Sequence, residues 1–265
     1  MNKNENKKIN NPKKLIEEIN KLLNESKNCD NKESILKEAN SLAEELVSIT
    51  KVTYDEMCDT YTDLRGAEPN ELNKEMWNVL LEYVKKYIST NISNVKLLDV
   101  GTGSGRDIIY ASKMGYDVIG VDNSDGFIEH LNHLAIEGII PKDSYKKSDM
   151  RKLLFEDETF DVVRHNASIL HMPIIGKGYM ADLAISEAYR VLKPGGFIYL
   201  YVKKGDSLEF VDTNERLGGR VFQFYNYEMI SSLLERNGFK VIFNTEQEED
   251  RNGSIIKWIA VIAKK

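Results

Sequence analysis

The segment Leu97-Leu98-Asp99-Val100-Gly101-Thr102-Gly103-Ser104-Gly105-Arg106-Asp107 constrains this chain more than any other. Its apolar start reads as a buried strand and its end as the first turn of a helix. Between them stand three glycines in five residues, which let the backbone turn tightly and let a ligand touch main-chain amides. A glycine-rich loop alone is a weak signal. Here two carboxylates frame it, Asp99 at the end of the strand and Asp122 at the end of the next one, twenty-one residues after Gly101. An acid in the second place can accept both hydroxyls of a ribose, as in nucleotide-binding α/β sheets.

The surrounding texture supports that architecture. Short β-branched runs at Val95–Val100, Val118–Val121, Tyr145–Ser148, Phe160–Arg164 and Phe197–Val202 alternate with helical stretches from Arg106, from Asp125 and over Tyr179–Leu192. Such alternation means parallel strands with crossover helices. A polar insertion, a helix over Tyr227–Arg236 and two last strands, Phe239–Phe243 and Ile255–Ala263, follow; the charged turn between the last two predicts an antiparallel pair. The expected fold is α/β: a Rossmann-like, seven-stranded, mostly parallel sheet with an antiparallel last strand, helices on both faces and an N-terminal helical extension.

That extension is composed differently from the rest, with Asn, Lys and Glu dominant and no Gly in the first fifty residues. Apolar stripes at Leu15, Ile16, Ile19, Leu22 and Leu23, then at Ile35, Leu36, Ala39, Leu42, Ala43 and Leu46, are split by the polar run Lys27–Glu33 and predict a helical hairpin over 1–50. Met1–Asn10 is expected to be disordered. Thr53-Tyr54-Asp55-Glu56 has the form of a capping box, so a separate short helix is expected to start there and stop at Gly66, with a longer one opening at Pro69-Asn70. The domain plan is therefore a 1–50 extension and a 51–265 main domain, with lid helices over 51–90 and an acceptor-side insertion over 203–226. On this plan, removing residues 1–49 leaves ligand binding intact.

Composition excludes several classes. With 42% apolar and 29% charged residues in 265, the chain can build one large core. Its net charge of -6 provides no global positive field, so nucleic acid is not an expected partner. The two cysteines, Cys29 and Cys58, make neither a disulfide framework nor a zinc ribbon; no metal is expected, and a reducing cytoplasm is. Met1–Asn11 lacks an apolar core and the run Ile255–Ala263 is interrupted by Lys257, so neither a signal peptide nor a membrane span is expected.

Two ligand classes compete for the loop. The dinucleotide fingerprint needs a third glycine where the helix packs on the strand, and this chain has Arg106 there. Asp99 beside the loop would repel a pyrophosphate and attract an ammonium or sulfonium. In sum, the residues resemble the class I S-adenosylmethionine-dependent methyltransferases of the bacterial small-molecule type, from about Thr53 to Lys265. The matching blocks are Asp99–Gly105, Asp122, Ser148-Asp149-Met150, Phe160-Asp161-Val162-Val163 and Arg190–Gly196.

The resemblance implies S-adenosylmethionine as cofactor and S-adenosylhomocysteine as product. It implies that Asp99 and the loop at Gly101, Thr102, Gly103 and Gly105 hold the methionine moiety. Asp122 would then hold the ribose, Asn123 the adenosine side, and Asp149 with Met150 the adenine. Tyr54, Tyr61 and Arg65 occupy the place of a lid helix that closes over the cofactor in many relatives.

Residues leaving the carboxyl end of the fourth strand should face the methyl group. They are Arg164, His165, Asn166, Ala167 and Ser168, with His171 close behind. His165 and His171 are two of only four histidines and are the candidate bases, His165 also a candidate cofactor contact; the other two, His130 and His133, read as helix surface. A histidine base predicts an acid limb in turnover near its ordinary pKa of about 6.5. Lys203, Arg216 and Arg220, with Tyr225, form a local cationic cluster suited to a carboxylate or phosphate on the acceptor. Ser168-Ile169-Leu170-His171-Met172-Pro173 lacks the paired prolines of DNA amino-methyltransferases. The leading expectation is methyl transfer to a small-molecule acceptor by in-line displacement, in a chain that could form a homodimer. An RNA or protein methyltransferase, or a non-catalytic S-adenosylmethionine-binding partner protein, are the alternatives.

Overall fold

The structure is a computed structural model that describes residues 11–28, 31–212, 218–251 and 253–265. Met1–Asn10, Cys29 and Arg216 lie outside the described residues, and with them the expected disorder of the first ten and the role of Arg216.

The sheet is built around β1 (Lys96–Val100), which pairs in parallel with β2 (Asp117–Asp122) on one side and β4 (Phe160–Asn166) on the other. β3 (Tyr145–Lys147) extends it beyond β2 and β5 (Leu192–Lys203) beyond β4, both parallel. β9 (Ser254–Lys264) runs antiparallel between β5 and β8 (Lys240–Arg251), giving seven strands in the order β3-β2-β1-β4-β5-β9-β8. Leu97, Leu98, Val162, Val163, Ile198 and Leu200 are all buried, on both faces of their strands, because the crossovers α4 (Arg106–Met114), α5 (Asp125–Ile136) and α6 (Ala181–Val191) cover the sheet. The expected fold is observed. β1 and β4 form the topological switch point, and a crevice opens at their carboxyl ends.

Other elements differ from the sequence reading. The polar insertion contains an antiparallel hairpin, β6 (Leu208–Asp212) and β7 (Gly219–Gln223), which forms a separate two-stranded sheet. After it comes α7 (Tyr227–Glu235). β8 and β9 remain paired beyond the last β5 partner, Lys203↔Trp258, so residues 248–251 and 254–257 project as a two-stranded arm.

The amino-terminal helices are α1 (Pro12–Glu25), α2 (Lys32–Arg65) and α3 (Glu71–Tyr87). No helix begins at Thr53: α2 runs unbroken for 34 residues. Its buried stripe of Ala39, Ala43, Leu46, Val47, Thr50, Met57 and Cys58 keeps helical spacing straight through the expected break. The Thr53 hydroxyl, free of any capping duty, donates to the Gly219 carbonyl of β7 at 2.8 Å.

Two further ties fix α2 to the main domain. The Asp55 carboxylate accepts from the Asp125 amide at 2.7 Å, at the first residue of α5, where a negative charge meets the positive end of the helix dipole. Lys51 pairs with both Asp55 (2.7 Å) and Asp125 (2.8 Å). The helices touch because position 126 is glycine; a Cβ there would lie 2.7 Å from the Asp55 carbonyl oxygen. The Val221 amide of β7 donates to Thr50 Oγ1 at 3.0 Å.

The expected boundary at residue 50 thus falls inside a helix. Leu15, Ile16, Ile19, Leu22, Ala39, Ala43, Leu46 and Val47 all belong to the same buried cluster as the sheet. Removing residues 1–49 takes away that burial, on the order of 10 kcal/mol, which rivals the whole stability of a domain. The truncated chain is therefore expected to be insoluble or to melt without cooperativity, as circular dichroism on heating would read. A soluble fragment with a sharp transition and intact ligand binding would restore the extension to the status of an appendage. Among the described residues no helix is long and apolar enough to cross a membrane.

Candidate functional site

The glycine loop is tied to the end of β2. The amides of Gly101 and Thr102 both donate to the Val121 carbonyl, at 2.8 and 3.0 Å, and the Gly103 amide donates to Asp122 Oδ2 at 2.9 Å. Gly101 and Gly105 have positive φ, 74° and 76°, and no room for a side chain: a Cβ would lie 2.3 Å from Ser168 Cβ and 2.5 Å from Leu131 Cδ2 respectively. At Gly103 the nearest neighbours of such a Cβ are cavity-wall rings, Phe127 at 3.8 Å and Tyr61 at 3.9 Å, so the absent side chain leaves open space.

That space belongs to a cleft, partly open to solvent, at the carboxyl ends of the parallel strands. Its walls come from the loop (Gly101, Gly103), the end of β2 (Asp122, Asn123), the segment after β3 (Ser148, Asp149, Met150) and the segment after β4 (Asn166 to Ser168, His171). Ala167 lies in that last segment with φ 55°, an uncommon left-handed backbone for a residue with a side chain, held by its amide donating to the Tyr201 carbonyl at 2.8 Å. Residues Val47, Thr50, Lys51, Tyr54 and Tyr61 of α2 complete the wall.

Asp122 is the best placed polar group in the cleft. Oδ2 accepts from Gly103 and Oδ1 from the Ser124 amide (2.9 Å), which leaves each oxygen a further lone pair. Burial outweighs these bonds and pushes its carboxyl up. At Asp149 the balance is reversed: burial acts to raise the carboxyl, but Arg151, bonded to both oxygens through Nε (3.1 and 3.2 Å) and to one through Nη2 (2.7 Å), holds it down.

Asp99, Thr102 and Gly105 do not line the cleft. Asp99 is turned into the protein, where Arg164 Nη1 donates to its Oδ1 at 3.0 Å. Arg164 Nη2 lies 3.2 Å from Asp107 Oδ1, an ion pair without hydrogen-bond alignment, and its guanidinium carbon stands 4.2 Å from the Trp77 ring centre. Trp77 Nε1 in turn donates to Asp107 at 3.0 Å. All these groups are buried. Burial first, and Asp107 next to it, push Asp99 up against the pull of Arg164, whereas Asp107 is held below its ordinary value because Arg164 and Arg106 outweigh its burial. Arg164 thus supports the loop from beneath and does not face the cleft.

His165 also departs from expectation. Successive side chains on a strand point to opposite faces, and the end of β4 puts Asn166 in the cleft and His165 in the core. Its Nδ1 lies 3.4 Å from Ser168 Oγ, its Nε2 has no partner among the described residues, and burial pushes its pKa down to about 3. It can serve as neither base nor cofactor contact from there. His171 does reach the cleft. Its Nδ1 is 2.7 Å from the Val221 carbonyl, which can only accept, so Nδ1 carries the proton and Nε2 accepts from the Tyr54 hydroxyl at 2.8 Å. Burial, against that carbonyl bond and with help from Arg220 and Lys203, pushes His171 to about 3 and keeps it neutral. Arg220 Nη1 donates to the same Tyr54 oxygen at 3.1 Å, and burial pushes Tyr54 up to about 12.

Tyr225, expected at the acceptor, is buried in the core with its hydroxyl unpartnered among the described residues. Arg65, Lys203 and Arg220 stand behind the cleft wall and do not line it.

A family model described as a methyltransferase domain matches residues 98–200. A sterol 24-C-methyltransferase from Candida albicans is 30% identical over 168 residues, covering 58% of this chain and 42% of its own length. The chain therefore spans about two fifths of the length of such curated relatives. Among solved structures, a S-adenosylmethionine-dependent methyltransferase from Methanosarcina mazei superposes with a TM-score of 0.56 at 22% identity, covering 69% of this chain and 96% of that one. A Burkholderia thailandensis 1,6-didemethyltoxoflavin-N1-methyltransferase, bound to 1,6-didemethyltoxoflavin and S-adenosylhomocysteine, gives 0.51 at 18% identity, covering 72% and 89%. At these identities the two structures speak for the fold alone. Residues 98–200 carry a methyltransferase domain.

In the cleft, the wall residues absent from the sequence reading are chiefly Val47, Thr50, Lys51 and Phe127. The signal for the first three is the unbroken stripe from Ala39 to Tyr61, which places Val47, Thr50, Tyr54 and Tyr61 on one helix face. Phe127 carried a weaker sign, the first turn of the helix that follows Asp122.

Proposed function

We propose that the protein transfers a methyl group from S-adenosylmethionine to a small-molecule acceptor by in-line displacement. The observation that carries this reading is one cleft shared by a donor-type wall, Asp122 with the bare Gly103 backbone, and a polar wall of Tyr54, Asn166, Ser168 and His171. A cleft plugged beyond the donor wall would have favoured a mere binder. Asp122 has one spare lone pair on each oxygen for the paired ribose hydroxyls, and Gly103 leaves room beside it, so the residues fit the cofactor. Asn123 is assigned to the adenosine side, Asp149 and Met150 to the adenine, and the backbone of Gly101 and Gly103 to the methionine end. Asp99, through Arg164, is a positioning residue for the loop.

When bound, S-adenosylmethionine supplies a methyl group on a sulfonium sulfur that already carries its leaving group. The protein therefore contributes alignment and exclusion of water, a class of effect worth roughly 7–11 kcal/mol. Tyr54 and Tyr61 of α2 cover the cleft, and Phe127 packs on both rings at centroid distances of 5.7 and 5.5 Å. An acceptor hydroxyl could hand its proton to His171 Nε2 only by taking the place of the Tyr54 hydroxyl. With its pKa near 3, His171 is also a weak base, so alignment does most of the work. The polar wall favours an acceptor with hydrogen-bonding groups. A cytoplasmic location is part of this reading, supported by the buried free thiol of Cys58.

Isothermal titration is expected to show binding of S-adenosylhomocysteine and none of NAD. Turnover is expected to stay level from about pH 8 to pH 5, with no acid limb near 6.5, because a histidine whose pKa is lowered stays deprotonated through that window. Binding of NAD in place of S-adenosylhomocysteine would overturn the reading. An acid limb near 6.5 that vanishes in His171→Gln would instead make His171 a working base.

A further inference from the structure

We propose that Lys203, Arg220, Arg65 and Arg251 form a subsite for an anionic group, a carboxylate or phosphate, on the methyl acceptor. The proposal rests on the small-molecule acceptor reading and narrows it to anionic molecules.

Three of the four cations lie on a linked set of aromatic rings, and Arg251 lies over another, Trp258, at 5.8 Å. Lys203 ends β5 with Nζ 4.0 Å from the Phe222 ring centre, and Arg220, on β7, lies 5.4 Å from that ring and 5.2 Å from the Tyr54 ring. Arg65, at the end of α2, lies 5.4 Å from Tyr61, whose ring meets Tyr54 edge-on at 5.8 Å. Tyr54 and Tyr61 both line the cleft. Arg251 reaches in from the β8–β9 arm and pairs with Glu249 at 2.8 Å. Ring faces attract cations but accept no conventional hydrogen bond from them. Accordingly, the Nε atoms of Arg65 and Arg220 are buried without a hydrogen-bond partner among the described residues.

The charge balance points the same way. Burial, then Arg251, Arg220 and Arg65, push the Lys203 amine down to about 8, and the acid that pulls against them is Glu249. Glu249 already accepts from Trp258 Nε1 at 2.9 Å as well as pairing with Arg251. Among the described residues, one carboxylate so engaged leaves the group with a surplus of positive charge, where an oxyanion would find donors already gathered.

The sheet order assigns this subsite to the acceptor and not to the carboxylate of the donor. Glycine loop, Asp122 and Asp149 stand at the ends of β1, β2 and β3, whereas Lys203 ends β5, on the far side of β4. The bond from Arg220 to Tyr54, and from Tyr54 to His171, joins the cations to the acceptor wall.

Inorganic phosphate, titrated calorimetrically into the full chain with and without saturating S-adenosylhomocysteine, tests the proposal. Phosphate is expected to bind both forms, and Lys203→Gln and Arg251→Gln are each expected to weaken it at least tenfold while S-adenosylhomocysteine affinity stays within about twofold. At pH 8, titrations in buffers of different ionisation enthalpy should show uptake of up to about half a proton, since the anion holds Lys203 protonated, with little uptake at pH 6 and none in Lys203→Gln. No phosphate binding, or binding untouched by both variants, overturns the subsite. Loss of S-adenosylhomocysteine affinity in the variants gives the cations to the donor carboxylate and also overturns it. If wild-type protein fails to bind S-adenosylhomocysteine yet binds phosphate through Lys203, the cofactor reading fails and the anion site stands.

Discussion

Arg164→Met is expected to destabilise the protein by about 3–5 kcal/mol, the usual cost of stripping one partner from a buried ion pair. Here the loss leaves two carboxylates, Asp99 and Asp107, side by side in a core from which water is excluded. Methionine keeps most of the arginine volume, so cavity formation contributes little and charge dominates. The pH dependence identifies the cause. Without the guanidinium the folded-state pKa of Asp99, already raised, moves further above the unfolded value of about 3.9, and Asp107 loses the main pull that holds it down. Between those two values the folded state then binds more protons than the unfolded chain, so stability falls as pH rises. Urea denaturation should therefore find the deficit larger at pH 8 than at pH 5. Adding Asp99→Asn should recover part of it. A variant within about 1 kcal/mol of wild type at both pH values would mean that water or another cation already neutralises the pair.

Asp122→Ala is expected to weaken S-adenosylhomocysteine binding by a hundredfold or more. Two ribose hydroxyls donating to a carboxylate contribute about 1.5–3 kcal/mol each, and a buried carboxylate gains more from them than an exposed one. The substitution also frees the Gly103 and Ser124 amides, so the loop loses an anchor together with the ligand. Calorimetry and melting separate these effects. Ligand at one hundred times its Kd should stabilise the wild type by about 2.7 kcal/mol, an increment that should fall to about 0.4 kcal/mol or less in the variant at equal concentration. The unliganded variant should melt only slightly earlier, because the Val121 carbonyl still holds Gly101 and Thr102. Unchanged affinity in a folded variant would remove Asp122 from the cofactor site.

The elements that read correctly from sequence were those whose signal is local and repeated. β1, β2, β4 and β5 are buried on both faces and so appear as short apolar runs between helical periods, a pattern that alternates only in a parallel sheet. The glycines of the loop and the acid at the end of β2 are spaced by one strand-loop-helix-strand unit, which the backbone geometry leaves little freedom to vary. Wherever a local pattern had a distant competitor, it misled. Thr53 to Glu56 carries a capping box, yet the Thr53 hydroxyl finds the Gly219 carbonyl, 166 residues further on, and the helix continues.

The sequence by itself therefore determined the sheet, the loop and the position of Asp122. Which side chains look into the cleft was decided by the tertiary structure. His165 and Asn166 are neighbours in sequence, and strand alternation puts one in the core and the other at the cavity, but only the packing of helices on the sheet says which face is which. Asp99 reads as a ligand group until Arg164 arrives from the adjacent strand and takes it. Lys203, Arg216 and Arg220 read as a cationic cluster, whereas Arg65, at the end of α2, and Arg251, on the β8–β9 arm, act on Lys203 from distant parts of the chain. The physical reason is common to all three cases. Side-chain direction and charge neighbourhood depend on contacts between segments far apart in the chain, and those are set only when the hydrophobic faces close on one another.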